Sequence, residues 1–361
     1  MTTDRRARAR DLGIVPGSLP TGALNAITDV AGVRVGHTTV TEGSDIRTGV
    51  TAIVHDGLTG RQGLAAGLTV GNGYGKIVGT TQVGELGMIE TPILLTGTLS
   101  VFRAADALVS YMLSLPGNEE LPSVNPVVAE TNDGFLSDLR RRPVTQEHVF
   151  SALRAAAPGP VAEGSVGAGT GTSALGYKAG IGTSSRVADR GAGPPVTVGV
   201  LVQANFGGTL TVLGVPVPPE AGDEDALAPG SCVIVAATDA PLDSRQLARV
   251  AWRSIVAMGR TGSNFAGASG DYALAFSTAR PVAGVPVAGS PGTWPSGVGP
   301  LPDRELDPVF AAAMDATEEA ILNSLLTAHT TSGFQGHVRH AVPLGRVREL
   351  CHARGVLATG H

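Results

Sequence analysis

The amino-acid sequence predicts an α+β layered sandwich. Short β-branched runs separated by glycine-rich turns dominate the first part of the chain. Helical patterns occur in groups, whereas strict alternation with strands would indicate a doubly wound parallel sheet. The 361 residues are 42% apolar and 16% charged, which excludes a mainly disordered chain and allows a large core. No internal repeat or low-complexity linker divides the chain.

The predicted elements of the first half follow from the spacing of apolar side chains. Strands are predicted at 27–35, 49–54, 68–70 and 124–129. A helix is predicted at 99–115, where large apolar side chains recur at helical spacing, and a second one at 144–156. Residues 130–134 between them are predicted to form a turn, because they combine Asn, Asp and Gly.

The second half begins with a predicted glycine-rich loop at 164–182. Residues 216–230 combine prolines with four acidic side chains and are predicted to form an exposed, irregular loop. The remaining predicted elements are a strand at 196–204, a strongly apolar strand at 231–237, a helix that opens at Pro241, a strand at 272–277 and a long helix at 308–328. The change from an acidic loop to a buried strand at residue 231 is the unusual feature of this half.

Composition and charge exclude several classes of protein. The net charge is −5 and no basic stripe is present, which argues against nucleic-acid binding. Arg5, Arg6, Arg8 and Arg10 are interpreted as a solvated arm or an oligomer contact. No apolar signal region follows them, and no apolar run approaches the ~20 residues that span a bilayer. We therefore expect a soluble, cytoplasmic protein without membrane contacts.

Several motifs fail when their spacing is checked. The glycine-rich run that ends at Lys76 lacks the Ser or Thr of a phosphate loop, because Ile77 stands there. His337 and His340 are three residues apart but have no third ligand nearby, so we expect no metal site and no cofactor. Cys232 lies in an apolar run and is interpreted as a small buried side chain, with a catalytic thiol as the weaker alternative.

Ser231 is the remaining candidate nucleophile. If the Gly230–Ser231 bond is cut, Ser231 gains a free α-amine on its own Cα. Such an amine has a pKa of about 7.7–8.0, so it can accept the hydroxyl proton near neutral pH without a histidine. Gly230 favours the cut because glycine adopts strained backbone angles. The residues alone also fit a simple turn before a core strand.

Five blocks, in this order, closely resemble the DmpA-type peptidase family, which includes L-aminopeptidase/D-esterase and β-peptidyl aminopeptidases. The blocks are 64–76, 85–92, 128–134, 200–207 and 230–242. The resemblance runs from about 26 to 277 and implies an αββα sandwich like that of N-terminal-nucleophile hydrolases. It implies one self-cleaving domain over 1–361, giving an α chain of 1–230 and a β chain of 231–361. It also implies a homo-oligomer of αβ units.

The resemblance also implies roles for individual side chains. Ser231 is expected to be the nucleophile, and Asn205 to donate its amide NH₂ to an oxyanion hole. Ser269 and Asp271 are two residues apart, so on an extended segment they point the same way. Ser269 is expected to relay a hydrogen bond, and Asp271 to stabilise the ammonium form of Ser231. Some relatives have Glu in place of this Asp.

Three further residues complete the expected site. Glu130 is expected to hold the free ammonium of the substrate, which favours an aminopeptidase. Asn132 is expected beside the substrate and stands where some members have Tyr, so a phenolic contribution to the oxyanion hole is in question. Lys178 resembles a lysine near the site of the nylon-oligomer hydrolases.

The expected activity is the release of N-terminal residues from short peptides, amides or esters through a Ser231 acyl-enzyme. Two alternatives remain open at this point. One is an endo-acting polyamide hydrolase of the nylon-oligomer type. The other is an acyltransferase of the ornithine acetyltransferase type, whose nucleophile is Thr.

Overall fold

The computed structural model describes residues 6–191, 193–219, 230–283 and 299–357. The longer strands are β1 (Arg34–Glu42), β2 (Ile46–Val54), β3 (Gln62–Gly73), β6 (Ile93–Gly97), β7 (Val127–Thr131), β10 (Ile181–Ala188), β11 (Val196–Asn205), β14 (Ser231–Thr238) and β15 (Gly270–Ala283). The two-residue strands are β4 (Ile77–Val78), β5 (Met88–Ile89), β8 (Ser173–Ala174), β9 (Tyr177–Lys178), β12 (Thr211–Val212), β13 (Val215–Pro216), β16 (Thr331–Ser332) and β17 (Val338–Arg339). The α-helices are α1 (Thr80–Leu86), α2 (Val101–Leu113), α3 (Gln146–Arg154), α4 (Ser244–Met258), α5 (Asp307–Leu326) and α6 (Leu344–Ala353).

Two mixed sheets form the centre of the molecule. The first sheet has the order β1-β2-β6-β7-β4, and the second has the order β10-β11-β14-β15-β3-β5. In the second sheet, β14 pairs antiparallel with β11 and parallel with β15. Strand β14 is therefore interior to its sheet, with a partner on each side.

The alternation of side chains along the strands assigns the layers. In β14, Cys232, Ile234 and Ala236 pack in the same cluster as α4 and α5. Val233, Val235 and Ala237 instead pack with side chains of the first sheet. Helices α2 and α3 form a third cluster with the other face of the first sheet. Since successive side chains of a strand point to opposite faces, the layer order is helix, sheet, sheet, helix. The predicted αββα sandwich is confirmed.

Glycines allow the helices to lie directly on the second sheet. A Cβ at Gly67 would lie 2.2 Å from the backbone nitrogen of Ala248 in α4. A Cβ at Gly182 would lie 1.9 Å from the carbonyl oxygen of Ala320 in α5. Both contacts are far shorter than van der Waals distance, so the glycine-rich composition reflects close packing as well as turns.

Most predicted elements match the structure, and the helices match best. The helices predicted at 99–115, 144–156 and 308–328 correspond to α2, α3 and α5. The strand predicted at 27–35 is wrong, since Ile27–Asp29 form a short 3-10 turn. The carboxylate of Asp29 accepts hydrogen bonds from the backbone N–H groups of Leu24 and Ala26, and this bonding competes with strand pairing.

Three predicted loops or turns differ from the structure or lie partly outside the described residues. Residues 220–229 of the predicted acidic loop lie outside the described residues. The turn predicted at 130–134 begins later, because Glu130 and Thr131 are the last residues of β7. The predicted glycine-rich loop at 164–182 also contains β8 and β9 and the start of β10.

The interpretation of the N-terminal arginines as a solvated arm is wrong for Arg8 and Arg10, while the alternative of an oligomer contact stays a prediction. Arg8 forms an ion pair with Glu163 at 2.7 Å and donates to the backbone oxygens of Asn25 and Thr183. Arg10 forms an ion pair with Glu319 at 3.0 Å. Guanidinium groups carry several donors, so this segment is held against α5 and the second sheet. Arg5 lies outside the described residues.

Glu319 is the centre of a buried charge network, and its loss is expected to destabilise the fold. Glu319 and Arg186 form an ion pair at 2.6 Å with both side chains fully buried. We expect Glu319→Ala to lower the free energy of unfolding by about 3–5 kcal/mol, because Arg186 is left buried and unpaired. Urea unfolding measures this change. As a control, Glu42→Ala removes an exposed partner of Arg141 and is expected to change stability by less than about 1 kcal/mol. Equal effects of the two variants would contradict the prediction.

No helix in the described ranges is long and apolar enough to cross a membrane.

Candidate active site

Three strand ends of the second sheet meet at the candidate site. Ser231 is the first residue of β14 and lies opposite Asn205, the last residue of β11. On its other side Ser231 is paired with Gly270, the first residue of β15, so Asp271 is paired with Cys232. The strand registers therefore bring Ser231, Asn205, Ser269 and Asp271 together from three separate parts of the chain.

The peptide bond before Ser231 has a defined environment. The carbonyl oxygen of Gly230 accepts a hydrogen bond from the backbone N–H of Gly270, with an N···O distance of 3.3 Å. A Cβ at Gly230 would lie 1.8 Å from the carbonyl oxygen of Asn205. A side chain at this position would displace the end of β11, so the close approach itself requires glycine.

Asp271 is held by two hydrogen bonds. Ser269 Oγ donates to Asp271 Oδ1 at 2.7 Å, and Asn72 Nδ2 donates to Asp271 Oδ2 at 2.8 Å. Burial raises the pKa of the Asp271 carboxyl, while the hydrogen bonds from Asn72 and Ser269 act in the opposite direction. Asn72 was not predicted as a site residue, although it lies in the glycine-rich run that ends at Lys76.

The Asn205 amide is oriented by backbone contacts on both of its polar atoms. Its Oδ1 accepts from the backbone N–H of Ser173 at 2.9 Å, and its Nδ2 donates to the carbonyl oxygen of Asn132 at 2.9 Å. An amide nitrogen carries two hydrogens, so this contact uses one of them. Only the backbone of Asn132 contacts Asn205 in this way. The Asn132 side chain is exposed and accepts a hydrogen bond from the backbone N–H of Gly134 in a turn.

A cavity of about 170 Å³ lies in front of Ser231. It is lined by Tyr74, Lys76, Thr98, Glu130, Asn132, Gly230, Ser231 and Ala268. Tyr74, Lys76, Thr98 and Ala268 were not predicted as site residues. No sequence pattern indicates Tyr74, Lys76 or Thr98, because only the fold brings these residues beside Glu130 and Ser231.

Glu130 is the buried anion of this cavity, with 1% of its surface exposed. Its Oε1 accepts from the backbone N–H of Lys76 at 2.9 Å and lies 3.5 Å from Lys76 Nζ. Its Oε2 has no hydrogen-bond partner within the described part of the chain. A buried carboxylate oxygen without a partner is costly, and a cationic ligand would satisfy it.

Lys178 lies outside the cavity lining and is fully buried. Its Nζ donates to the carbonyl oxygens of Gly169, at 3.0 Å, and Ala179. Burial lowers the pKa of Lys178 to about 7, and the negative charge of Asp133 acts in the opposite direction. The structure therefore brings Lys178 into contact with backbone carbonyls, and its charged neighbour is Asp133, which the sequence analysis did not select.

Asp133 is expected to make stability depend on pH. Burial raises the pKa of its carboxyl from 3.8 to about 7. The folded protein then binds a proton that the unfolded chain has lost, so this stabilisation is complete below pH 4 and disappears as pH rises to 7. We therefore expect the free energy of unfolding of Asp133→Asn, relative to that of the native chain, to increase by about 1–3 kcal/mol as the pH rises from 4 to 7.5.

Thermal unfolding of both proteins across this pH range measures the effect. Burial also raises the pKa of Glu163 to about 7, but Glu163 titrates in both proteins and cancels in the difference. A stability difference that is constant with pH would contradict the prediction.

The Cys232 thiol is not suited to nucleophilic chemistry. It is fully buried within the cluster that packs against α4 and α5. Burial raises the pKa of this thiol well above its ordinary value, with a further contribution from the charge of Asp271. The structure supports the interpretation of Cys232 as a small buried side chain. In the described ranges, no group of three or more His, Cys, Asp or Glu side chains is arranged to hold a metal ion.

Comparisons with known proteins agree with one another. The model of the family described as peptidase family S58 matches residues 25–339. The chain is 42% identical to β-peptidyl aminopeptidase BapA of Sphingosinicella xenopeptidilytica, over 96% of this chain and 91% of that protein. A solved structure from Pyrococcus horikoshii OT3 is 43% identical with a TM-score of 0.88, covering 97% of this chain and 99% of that one.

A further solved structure is described in terms of its fold. It is the L-aminopeptidase D-Ala-esterase/amidase of Ochrobactrum anthropi, with 38% identity, a TM-score of 0.88, and coverage of 97% of this chain and 99% of that one. It is called a prototype of the serine aminopeptidases and a new variant of the Ntn hydrolase fold.

Proposed function

This chain belongs to peptidase family S58, and we propose that it is a serine aminopeptidase that activates itself by cutting its own Gly230–Ser231 bond. The observation that carries the proposal is the position of Ser231. Ser231 begins an interior strand and lines the cavity. The carbonyl oxygen of the preceding residue, Gly230, accepts a hydrogen bond from the backbone N–H of Gly270.

In the proposed self-cleavage, Ser231 Oγ attacks the carbonyl carbon of Gly230. The C–N bond breaks as the C–O bond forms and the hydroxyl proton passes to the departing nitrogen, so the chain passes through an ester with a free α-amine on Ser231. Water then hydrolyses the ester, leaving a carboxylate on Gly230 and the hydroxyl on Ser231. The hydrogen bond from Gly270 N–H to the Gly230 oxygen supports this step, since it stabilises the negative charge that develops there.

In the proposed catalytic cycle, the α-amine of Ser231 takes the proton of its own hydroxyl as Oγ attacks the substrate carbonyl. The ammonium then gives this proton to the leaving amine, and an acyl-enzyme remains. Water attacks the ester with the same amine as base, which releases the acid and restores Ser231. Asn205 Nδ2 donates to the oxyanion in both half-reactions, and its fixed orientation supports this role.

Ser269 and Asp271 are proposed to stabilise the ammonium form of Ser231. The Asp271 carboxylate is paired in register with the residue after Ser231 and is oriented by Ser269 and Asn72. A carboxylate held in a buried site favours a nearby cation, so it assists proton uptake in each half-reaction. Lys178 is proposed to support the site through Asp133, without touching the substrate.

Glu130 favours an exo-acting enzyme over the endo-acting polyamide hydrolase. Its Oε2 would be satisfied by the free N-terminal ammonium of a substrate, and an internal segment of a polyamide has no such group. The cavity of about 170 Å³ is small beside the ~300–1,000 Å³ of ordinary ligand pockets, so it suits a single short acyl residue. Transfer of the acyl group to an added amine would instead favour the acyltransferase alternative.

Mass spectrometry of the purified protein tests the proposal directly. We expect two fragments, 1–230 and 231–361, and hydrolysis of free-amine p-nitroanilides but not of their N-acetylated forms. Hydrolysis by material that is still intact at Gly230–Ser231 would contradict the proposed chemistry. A cytoplasmic homo-oligomer of αβ units is part of the same proposal, and size-exclusion chromatography with light scattering tests the assembly.

A further inference from the structure

Lys76 is a cation inside the cavity that the proposed catalytic cycle does not use. Its Nζ donates to Thr98 Oγ1 at 2.7 Å and lies 3.5 Å from Glu130 Oε1, while 39% of its side chain remains exposed. Its backbone N–H separately holds Glu130 Oε1, so the side chain is not needed to fix that oxygen. The cavity therefore contains one anion and one cation side by side.

Glu130 and Lys76 together favour a substrate that carries both a positive and a negative charge. Glu130 Oε1 is already contacted by Lys76, while Oε2 has no partner in the described part of the chain. A substrate ammonium at the Glu130 carboxylate would leave two cations sharing one anion, which is electrostatically unfavourable. A carboxylate on the substrate, placed at Lys76 Nζ, would restore the balance, because each charge then has a neighbour of opposite sign.

The spacing of these charges limits the substrate. An ammonium nitrogen and a carboxylate oxygen on the same carbon lie roughly 3 Å apart, as standard bond lengths dictate. This separation is close to the 3.5 Å between Lys76 Nζ and Glu130 Oε1. A head group with both charges on one carbon is therefore the best match to the pair.

We infer that Lys76 and Glu130 together bind an α-amino-carboxylate head group, and that the preferred substrates are peptides and amides of β-linked aspartate. In such a residue the scissile carbonyl is one methylene away from the carbon that carries both charges. The inference rests on the proposed function, since it places the ammonium at Glu130. The acyl skeleton is that of a β-peptide, the class named for the relative in Sphingosinicella xenopeptidilytica.

Matched p-nitroanilides test this inference. L-Aspartic acid β-(p-nitroanilide) and 3-aminobutyric acid p-nitroanilide share one skeleton, with a carboxylate in the first and a methyl group in the second. Both enantiomers of each are used, and release of p-nitroaniline is followed by absorbance. We expect kcat/KM to be at least about 10-fold higher for one enantiomer of the β-aspartyl compound, with the difference mainly in KM.

Variants of Lys76 separate recognition from structure. Lys76→Met keeps the backbone N–H at Glu130 and removes the charge. We expect it to lose about 10-fold or more on the β-aspartyl compound, mainly through KM, and to gain on the 3-aminobutyryl compound, because that ammonium then no longer shares Glu130 with a second cation. Lys76→Arg keeps the charge and is expected to retain the preference.

Three outcomes would overturn the inference. They are the absence of a β-aspartyl preference in the native enzyme, a faster reaction of the isomeric L-aspartic acid α-(p-nitroanilide), and an equal loss on both β-compounds in Lys76→Met. Hydrolysis of the 3-aminobutyryl compound alone would leave the proposed aminopeptidase intact and remove only this inference. Hydrolysis of none of the free-amine compounds would count against the proposed function itself.

Discussion

Ser231→Ala is expected to give a single full-length chain on denaturing gels and to lower kcat/KM by about 10⁴-fold or more. Both losses have one cause, because in the proposed mechanism the same hydroxyl attacks Gly230 during activation and the substrate carbonyl during turnover. The fold is expected to survive, since Ser231 is a small residue at the start of β14. Intact mass, p-nitroanilide hydrolysis and circular dichroism measure the three quantities.

Two matched variants give this experiment its controls. Ser231→Thr keeps a hydroxyl and is expected to retain some self-cleavage. Cys232→Ala changes the next residue, a buried thiol that is not expected to react, so cleavage should remain complete. Two fragments from Ser231→Ala would show that the chain is cut elsewhere and that another residue is the nucleophile.

Glu130→Gln is expected to lower kcat/KM for free-amine substrates by about 30- to 1,000-fold, mostly through KM. Glutamine keeps the size of the side chain but removes the charge that faces the substrate ammonium. Self-cleavage at Gly230 involves no substrate ammonium and is expected to go to completion. Steady-state kinetics and intact mass therefore separate the two processes in a single preparation.

Glu90→Gln is the matched control for Glu130→Gln. Glu90 is equally buried, but it holds Asn125 and does not line the cavity. Its substitution is expected to leave kcat/KM per folded molecule unchanged. Similar kinetic losses in both variants, or a Glu130→Gln enzyme with unaltered KM, would show that Glu130 does not bind the substrate.

The layered fold was predictable where local pattern and tertiary packing agree. Helix α4 begins after Asp243, whose side chain accepts from Gln246 N–H, and it buries a single apolar face. Strand β14 is apolar from Cys232 to Ala237 because both of its faces are covered. The strand predicted at 27–35 failed because a single side chain, Asp29, binds the backbone of its own segment. Periodicity alone does not reveal such a competition.

The site was predictable only in part, for a related reason. Ser231 and Asn205 lie in blocks that resemble a known family, and Asp271 lies within the wider stretch of that resemblance, so all three were predictable. Asn72, Lys76 and Thr98 act through contacts between β3 and β15 and between the segments that follow β3 and β6, and no local spacing indicates them. Asp133 was overlooked because its sequence neighbours suggest an ordinary turn, whereas its burial is a property of the whole fold.

The central position of β14 has a consequence for the molecule after cleavage. Strand β14 pairs with β11 on one side, and its neighbour β15 pairs with β3, so pieces on either side of Ser231 share one continuous sheet. Helix α5 of the second piece also packs on β10 and β11 of the first. Under the proposed cleavage, the two products would form an obligate heterodimer: the break frees one terminus for chemistry, yet neither product keeps a complete core if they separate.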